Sequence, residues 1–251
     1  MKLVSWNVNS LKARLPRVLE LLAAHAPDVL CLQETKCEAS AFPVAELEQA
    51  GYHAVHHSAG RWAGVAIAAP LGVEIGAEHS GLPGEVAQDE ARWVEATIGV
   101  LRIASAYVPN GRAVDSPPFA DKLAFLDAMA RRAGAVDVLL GDLNVTRADV
   151  DVYDPAAFAG STHVTPAERS RLERVLAAGL VDAYRHLHPD DVGYTWWDYR
   201  QGHFHRKLGL RIDYALVSEA LAARAIACGI DRDYRKGPRP SDHAPLLLEL
   251  A

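Results

Sequence analysis

The chain has 251 residues and a net charge of −6; half of its residues are apolar and 23% are charged, the make-up of a globular protein able to bury a sizeable core. This excludes a membrane-spanning protein, because no run nears the roughly 18 apolar residues that a span needs, and the start of the chain has no basic-then-apolar leader. Three cysteines (Cys31, Cys37, Cys228) are an odd number without metal-ligand spacing, so they read as reduced thiols and the expected compartment is the cytoplasm.

Lys2–Trp6 reads as a strand that ends in the polar cluster Asn7-Val-Asn9-Ser10. Leu15, Val18, Leu19 and Leu22 follow at helical spacing, with Pro16 fitting only near the first turn. Asp28–Leu32 is a second buried-type strand, and Gln33-Glu34-Thr35-Lys36 comes straight after it. A short helix over Val44–Ala50, closed by Gly51, precedes strands at Tyr52–His57, Gly64–Ala69, Trp93–Ile98 and Arg102–Val108, with turns at Pro70–Gly72 and Gly81–Gly84. The fourth of these strands ends in Tyr107-Val-Pro-Asn110-Gly111.

A helix over Phe119–Arg132 leads to Val136–Leu140, an apolar run patterned for a strand buried on both faces, which breaks at Gly141 to present Asp142 and Asn144. If the backbone stays extended there, the two side chains point the same way. An Asx-type turn is an equally good reading of those four residues. Thr165-Pro-Ala-Glu168 is a capping box with proline at the first helical position, and its helix carries Leu172, Val175 and Leu176 up to Gly179. The last third holds Tyr194-Thr-Trp-Trp-Asp-Tyr-Arg200, a strand at Arg211–Val217, and Ser241-Asp-His243 ahead of the strand Ala244–Leu250. About ten strands, several of them consecutive as in hairpins, with few clear helices, predict two mixed sheets packed face to face with helices outside, in one domain over residues 1–251.

The polar clusters past the strand ends collect Asn7, Glu34, Tyr107, Asn110, Asp142, Asn144, Asp213, Asp242 and His243. With no cysteine ligand and one histidine, this set is poor for zinc; its oxygens suit Mg²⁺, with Mn²⁺ as a substitute. A hard cation of that kind neutralises charge on phosphorus oxygens. The acidic total argues weakly against a polyanion partner, but carboxylates gathered around a cation do not repel a phosphate. No phosphate-binding or dinucleotide glycine motif is present, and no Gly-x-Ser-x-Gly elbow exposes a serine. Metal-assisted phosphodiester hydrolysis is the chemistry that remains. Each member also has a plainer reading: Glu34 as a loop residue, Tyr107 as a strand aromatic, Asp213 as a partner of Arg211, His243 as an interior histidine.

Together these motifs resemble the exonuclease III family of abasic-site endonucleases, within the endonuclease/exonuclease/phosphatase superfamily. The resemblance rests on seven motifs in family order: Ser5–Ser10, Leu32–Lys36, Tyr107–Gly111, Gly141–Asn144, Thr195–Arg200, Gly209–Asp213 and Ser241–Pro245. It implies a four-layer α/β sandwich of two mixed sheets. It implies Glu34, helped by Asn7 and Asp242, as the holder of Mg²⁺, with Asp142, Asn144 and His243 lining the same metal site. Asp142 would orient or deprotonate the attacking water, Asn144 would hydrogen-bond the scissile phosphate, and His243, steadied by Asp213, would stabilise its charge. Tyr107 would sit near the phosphate or leaving group.

DNA contacts would come from Asn110, Trp196, Arg200, Leu210 and Arg211, with Trp196 walling the pocket for a baseless sugar, Leu210 wedging into the duplex, and Arg206 and Lys207 adding phosphate contacts. One of Trp196 and Trp197 is expected to be core. The implied partner is double-stranded DNA with abasic sites or blocked 3′ ends, cut by a monomer. The loop Gly60-Arg-Trp-Ala-Gly64 departs from the pattern and bears on how DNA approaches. An inositol-lipid phosphatase or sphingomyelinase shares the core motifs but not the Thr195–Arg200 and Gly209–Asp213 segments. A catalytically dead DNA-binding scaffold would leave a gap in the ligand set, and the sequence has none.

Overall fold

The computed structural model describes residues 1–84 and 90–251. In chain order its first half runs β1 (Lys2–Asn7), α1 (Leu11–His25), β2 (Val29–Gln33), α2 (Val44–Gln49), β3 (Tyr52–His57), β4 (Val65–Pro70), β5 (Ile75–Ser80), β6 (Trp93–Ile98) and β7 (Leu101–Tyr107). The second half runs α3 (Pro117–Ala133), β8 (Val138–Asp142), α4 (Pro166–Ala177), β9 (Leu180–Asp182), α5 (Ala183–Leu187), β10 (Asp213–Ser218), α6 (Glu219–Ala222), β11 (Ala225–Ile230) and β12 (Leu246–Leu250). They build two six-stranded sheets, ordered β11-β12-β1-β2-β4-β3 and β5-β6-β7-β8-β10-β9. The expected pair of mixed sheets is present.

Each sheet has one parallel pair at its centre, β1 with β2 and β7 with β8, and the other pairings are antiparallel. The parallel pairs are joined by α1 and α3, because parallel neighbours need a long crossover. Side chains alternate along the strands. Leu3, Val29 and Ile67 meet Val94, Ile103, Leu140 and Val217 between the sheets. Val4, Trp6 and Leu30 pack outward against Val18, Leu21 and Leu22 of α1, and Ala104, Leu139 and Leu216 pack outward against Phe125, Met129 and Leu172 of α3 and α4. Four layers follow from this alternation. Full burial of one such aliphatic side chain is worth about 1.5–3 kcal/mol, so the three faces dominate the stability.

The capping box and a glycine match the sequence. The Thr165 hydroxyl accepts from Glu168 N and the Glu168 carboxylate accepts from Thr165 N, so the capping box that opens α4 is formed. Gly141 is needed for a close approach: a Cβ there would lie 2.0 Å from the carbonyl oxygen of Ala106 on β7. Without that clash β8 continues to Asp142, which sits opposite Tyr107 on one side and Asp213 on the other.

Three strands lie outside the sequence expectation, β5, β9 and β11, and all three are sheet edges. Edge strands bury at most one side, and β5 and β11 carry mostly half-buried or exposed residues, so neither alternation nor an apolar run marks them. The expected strands at Arg211 and Ala244 start two residues later. Thr195 Oγ1 accepts from the Ile212 and Asp213 amides, and Arg211 N bonds Asp151 O, which takes this lead-in out of the ladder.

Candidate active site

Both parallel pairs present their carboxyl ends at the same rim of the sandwich. Asn7 ends β1, Glu34 follows β2, Tyr107 ends β7, Asp142 ends β8, Asp213 begins β10 and His243 precedes β12. Such strand ends are where α/β folds bring side chains from separate strands together.

A single chain of contacts runs across the two sheets. Asn7 Nδ2 donates to Glu34 Oε1 (2.8 Å) and to Asp142 Oδ2 (2.9 Å). His243 Nε2 lies 3.6 Å from the same Asp142 oxygen, and His243 Nδ1 lies 2.8 Å from Asp213 Oδ2. Main-chain anchors hold the far end: Trp6 Nε1 donates to His243 O (3.1 Å), and the Ser241 hydroxyl donates to Asn7 O (2.7 Å).

Asn144 shares this pocket by a different route from the extended strand expected. Its φ is +51°, and Asp142 Oδ1 accepts from Asn144 N at 2.9 Å, an Asx turn. The turn aims the carboxamide, whose Nδ2 donates to Val108 O (3.0 Å) and to Asp142 Oδ2 (3.2 Å). The turn reading is therefore realised, and the turn leaves the carboxamide beside Asp142. Asn9, Glu34 and Lys36 also have left-handed φ, at +44°, +52° and +51°. Such conformations cost energy in residues with a Cβ and concentrate where a site requires a particular aim. Lys36, which the sequence reading did not single out, holds the rim: its Nζ lies 2.6 Å from Glu34 Oε2 and 2.6 Å from Asn9 Oδ1.

The electrostatics are those of carboxylates crowded out of water. Burial pushes the Asp142 carboxyl up, against the His243 charge, with Asp213 and Glu34 adding to the rise, to about 8. Burial opposes the charged imidazole of His243, but the Asp213 and Asp142 carboxylates outweigh it and raise its pKa to about 10. Burial and the charges of Glu34 and Asp142 raise the Tyr107 phenol well above its usual range, although the Arg92 guanidinium lies 4.6 Å over its ring. His163, also outside the sequence reading, is held low by burial and by the charge of Lys122, near 3. Its neutral ring then donates from Nδ1 to Asn144 O (2.6 Å) and accepts at Nε2 from Asn110 Nδ2 (3.4 Å). Nothing in its spacing marked it.

Among the described residues, ligand atoms of Glu34, Asp142 and His243 lie within 4.8 Å of one another. Two carboxylates and one imidazole without a thiolate fit a hard divalent cation. Asp242 is outside this group: its oxygens accept from Asn9 Nδ2 and Trp196 Nε1, both at 3.0 Å.

Two expected DNA contacts need correction. Leu210 has no exposed surface and packs with Val152, Ile212 and Trp196, so it has no free side chain to wedge into a duplex. Arg211 is also fully buried and forms ion pairs with Asp151 and Asp182 at 2.8 Å each, so it is unavailable to phosphate, and its partner is not Asp213. Trp197 is the core tryptophan of the pair and Trp196 is half-buried at the rim beside Asp242. Arg200 is exposed and pairs with Asp198, and Arg206 and Lys207 are exposed. Asn110 is exposed beside a cavity of about 450 Å³ that Tyr107, Arg92, Arg112 and Trp62 also line. Trp62 is 69% exposed, with the Arg61 guanidinium 4.9 Å over its ring.

A comparison with known families places residues 4–243 in the family described as Endonuclease/Exonuclease/phosphatase. The chain belongs to the endonuclease/exonuclease/phosphatase family. Within this family it is similar to exodeoxyribonuclease III of Haemophilus influenzae, 31% identical over 268 residues that cover 99% of each chain. It is also similar to the 3′ phosphatase NExo from Neisseria, solved bound to product DNA hairpin, with a TM-score of 0.95, 40% identity and coverage of 100% of this chain and 99% of that one. The AP endonuclease from Archaeoglobus fulgidus gives a TM-score of 0.95 at 35% identity, with the same coverage. The chain is a DNA-repair nuclease, a hydrolase of this metal-dependent family, and its acidic cluster, Glu34 and Asp142 beside His243, offers oxygens for a metal.

Proposed function

We propose that the protein is a Mg²⁺-dependent phosphodiesterase, accepting Mn²⁺ as a substitute, that cuts double-stranded DNA 5′ to abasic sites and trims nucleotides or blocking groups from 3′ ends. The observation that carries this reading is the unbroken contact chain Glu34–Asn7–Asp142–His243–Asp213 across the rim of the two sheets. Glu34, Asn7 and Asp142 would hold the cation, which when bound supplies charge neutralisation at the phosphate oxygens.

Asp142 orients the attacking water and takes its proton; a carboxyl lifted toward neutral pH is suited to that work. His243, kept charged by Asp213, donates from Nε2 to the phosphate as negative charge builds there. The Asn144 carboxamide donates to the same phosphate, and the Tyr107 phenol, neutral at physiological pH, serves as a donor near the leaving group. Asn110, Trp196 and Arg200 face the strand. The chain acts as a single-domain monomer in the cytoplasm.

A second reading, in which 3′-end processing is the main activity, is favoured by the 40% identity to a 3′ phosphatase. One assay separates the two. A duplex with a single tetrahydrofuran site and a nicked duplex with a 3′-phosphate are each incubated with Mg²⁺ and with EDTA. Cleavage of the first in Mg²⁺ alone supports the abasic-site reading, and release of phosphate from the second alone supports the 3′-end reading. Both substrates intact in Mg²⁺, or cut equally in EDTA, would sink the proposal.

A further inference from the structure

Lys122 of α3 reaches both loops that carry the second sheet's contribution to the site. It is fully buried, and its Nζ sits among the main-chain oxygens of Asn144 (2.7 Å) and Asn110 (3.2 Å), the Thr162 hydroxyl (3.0 Å) and the Glu168 carboxylate. Asn110 follows β7 and Asn144 follows β8, so one nitrogen ties the turns past the two central strands together.

An ammonium in that position needs a partner, because a lone charge taken out of water is strongly destabilising. Glu168 supplies it and is itself fixed: its oxygens accept from His163 N (2.8 Å) and from Thr165 N (3.0 Å) in the capping box of α4. The loop also leaves space for the lysine stem. Gly111 has φ +84°, and a Cβ there would lie 2.9 Å from Lys122 Cδ and 3.2 Å from Thr162 Oγ1. The glycine of the Tyr107–Gly111 motif thus has a concrete task, to let Lys122 pass beneath the loop.

We infer that Lys122 is a positioning residue of the nuclease site: by holding the Asn144 and Asn110 carbonyls on one buried cation, it sets the aim of the Asn144 carboxamide toward the phosphate and of Asn110 toward the strand. The inference rests on the nuclease reading of those two residues. Its rival is that the Lys122–Glu168 pair only staples α3 to α4, in which case any loss of activity follows loss of stability. The geometry favours positioning, because two of the ammonium's contacts are backbone carbonyls at the site and neither belongs to a helix.

The test compares Lys122→Met, which keeps the length and removes the donors, with Val175→Ala, a core change in α4 chosen to lower stability without touching the site. Tm, kcat and KM are measured on a DNA substrate that the parent cuts, well below every Tm. Lys122→Met is expected to lose kcat by about 10- to 100-fold with KM changed by less than about 3-fold, the pattern of a misaimed group. Val175→Ala is expected to lose Tm and keep kcat. A Lys122→Met enzyme with parental kcat overturns the inference, as does a Val175→Ala enzyme whose kcat falls in step with its Tm to the same extent. Should Lys122→Met fail to fold, Thr162→Val carries the comparison, with a drop in kcat of about 3-fold expected from loss of one member of the clamp and an unchanged kcat overturning the idea. A parent that cuts no DNA overturns the nuclease reading together with this inference, whereas an active parent with unaffected variants overturns the inference alone.

Discussion

The side-chain nitrogen of Asn7, at the end of β1, lies 2.9 Å from Oδ2 of Asp142, at the end of β8. The two residues are 135 positions apart and belong to different sheets, so this bond closes the site across the sandwich. The same nitrogen also donates to Glu34, which makes Asn7 the neutral spacer between two buried or half-buried carboxylates. Asn7→Ala removes the one donor that the two carboxylates share, leaving Lys36 on Glu34 and Asn144 on Asp142. Turnover is expected to fall by about 10²-fold or more, as when a group aimed at the reacting centre is lost, with binding of uncut DNA retained. Steady-state kinetics beside a binding titration in Ca²⁺ check this, and turnover within a factor of about two of the parent would remove Asn7 from the mechanism.

Crowding of Asp142, Asp213 and Glu34 around His243 predicts that a divalent cation stabilises the folded chain. By mass action a ligand at about 100 times its Kd adds about 2.7 kcal/mol. Tm measured by calorimetry is therefore expected to rise with Mg²⁺ in the parent and to stay flat in Glu34→Gln. An equal rise in both proteins would place the cation elsewhere.

The imidazole of His243 is charged below a folded pKa of about 10, so any step that needs the charged ring persists at neutral pH and fails as pH rises through that value. Asp213→Asn removes the nearer of the two carboxylates that raise it. The alkaline limb of the kcat profile is expected to move to lower pH in that variant, and the acid limb set by Asp142 moves to lower pH with it, because the Asp213 charge adds to the rise of that carboxyl. A pH–rate profile from about 5 to 11 reads both limbs, and an unmoved alkaline limb would take Asp213 out of its role toward His243.

How far these residues were legible in sequence depends on what each one touches. Asn7, Glu34 and Asp142 fall at or just past the ends of buried strands and His243 just ahead of one, and apolar runs with abrupt polar ends mark such places well. The Asn144 turn was half legible: the residue types fit both an extended chain and an Asx turn, and only the positive φ decides between them. Leu210 and Arg211 misled because their types, a large aliphatic and a cation, suit DNA as well as they suit a core. Burial settled both, since Arg211 meets Asp151 and Asp182, residues 60 and 29 positions away. Lys122 and His163 had no local signal, because their meaning lies in backbone oxygens supplied by other loops. The edge strands β5 and β11 were missed for the converse reason, having no buried face strong enough to pattern their residues, and β9, though buried at Leu180 and Asp182, is only 3 residues long.

Asp151 offers a pH-dependent stability test away from the catalytic cluster. Burial opposes its charged form, but Arg211 at 2.8 Å and Arg185 at 2.6 Å outweigh this and hold its carboxyl below the ordinary value. A carboxyl depressed by folding contributes stability that is complete above its unfolded pKa, about 3.9, and is lost as pH falls through the lower folded value. Asp151→Asn is expected to reduce stability at pH 7 by about 3–5 kcal/mol, because Arg211 loses a buried partner, and to flatten the fall in stability below about pH 4. Urea unfolding at a series of pH values measures both effects, and parallel acid limbs in parent and variant would rule out the linkage.

Leu210 separates a core role from a DNA-reading one. The side chain is completely buried with Val152 and Ile212, next to Trp196 and beneath the Thr195–Arg200 segment. Truncation to alanine removes buried methyl groups and leaves a cavity, for which losses of about 2–5 kcal/mol are typical. Leu210→Ala is therefore expected to lower stability by about that amount in urea unfolding. A residue that wedged into duplex DNA from the surface would give the opposite pattern, near-parental stability with weakened binding. Arg200→Ala provides the contrast: its side chain is exposed beside Asp198, so its loss is expected to leave urea unfolding unchanged while reducing the salt dependence of DNA binding. If Leu210→Ala instead keeps parental stability and loses DNA affinity, the packing assigned to it is wrong and Leu210 returns to the DNA interface.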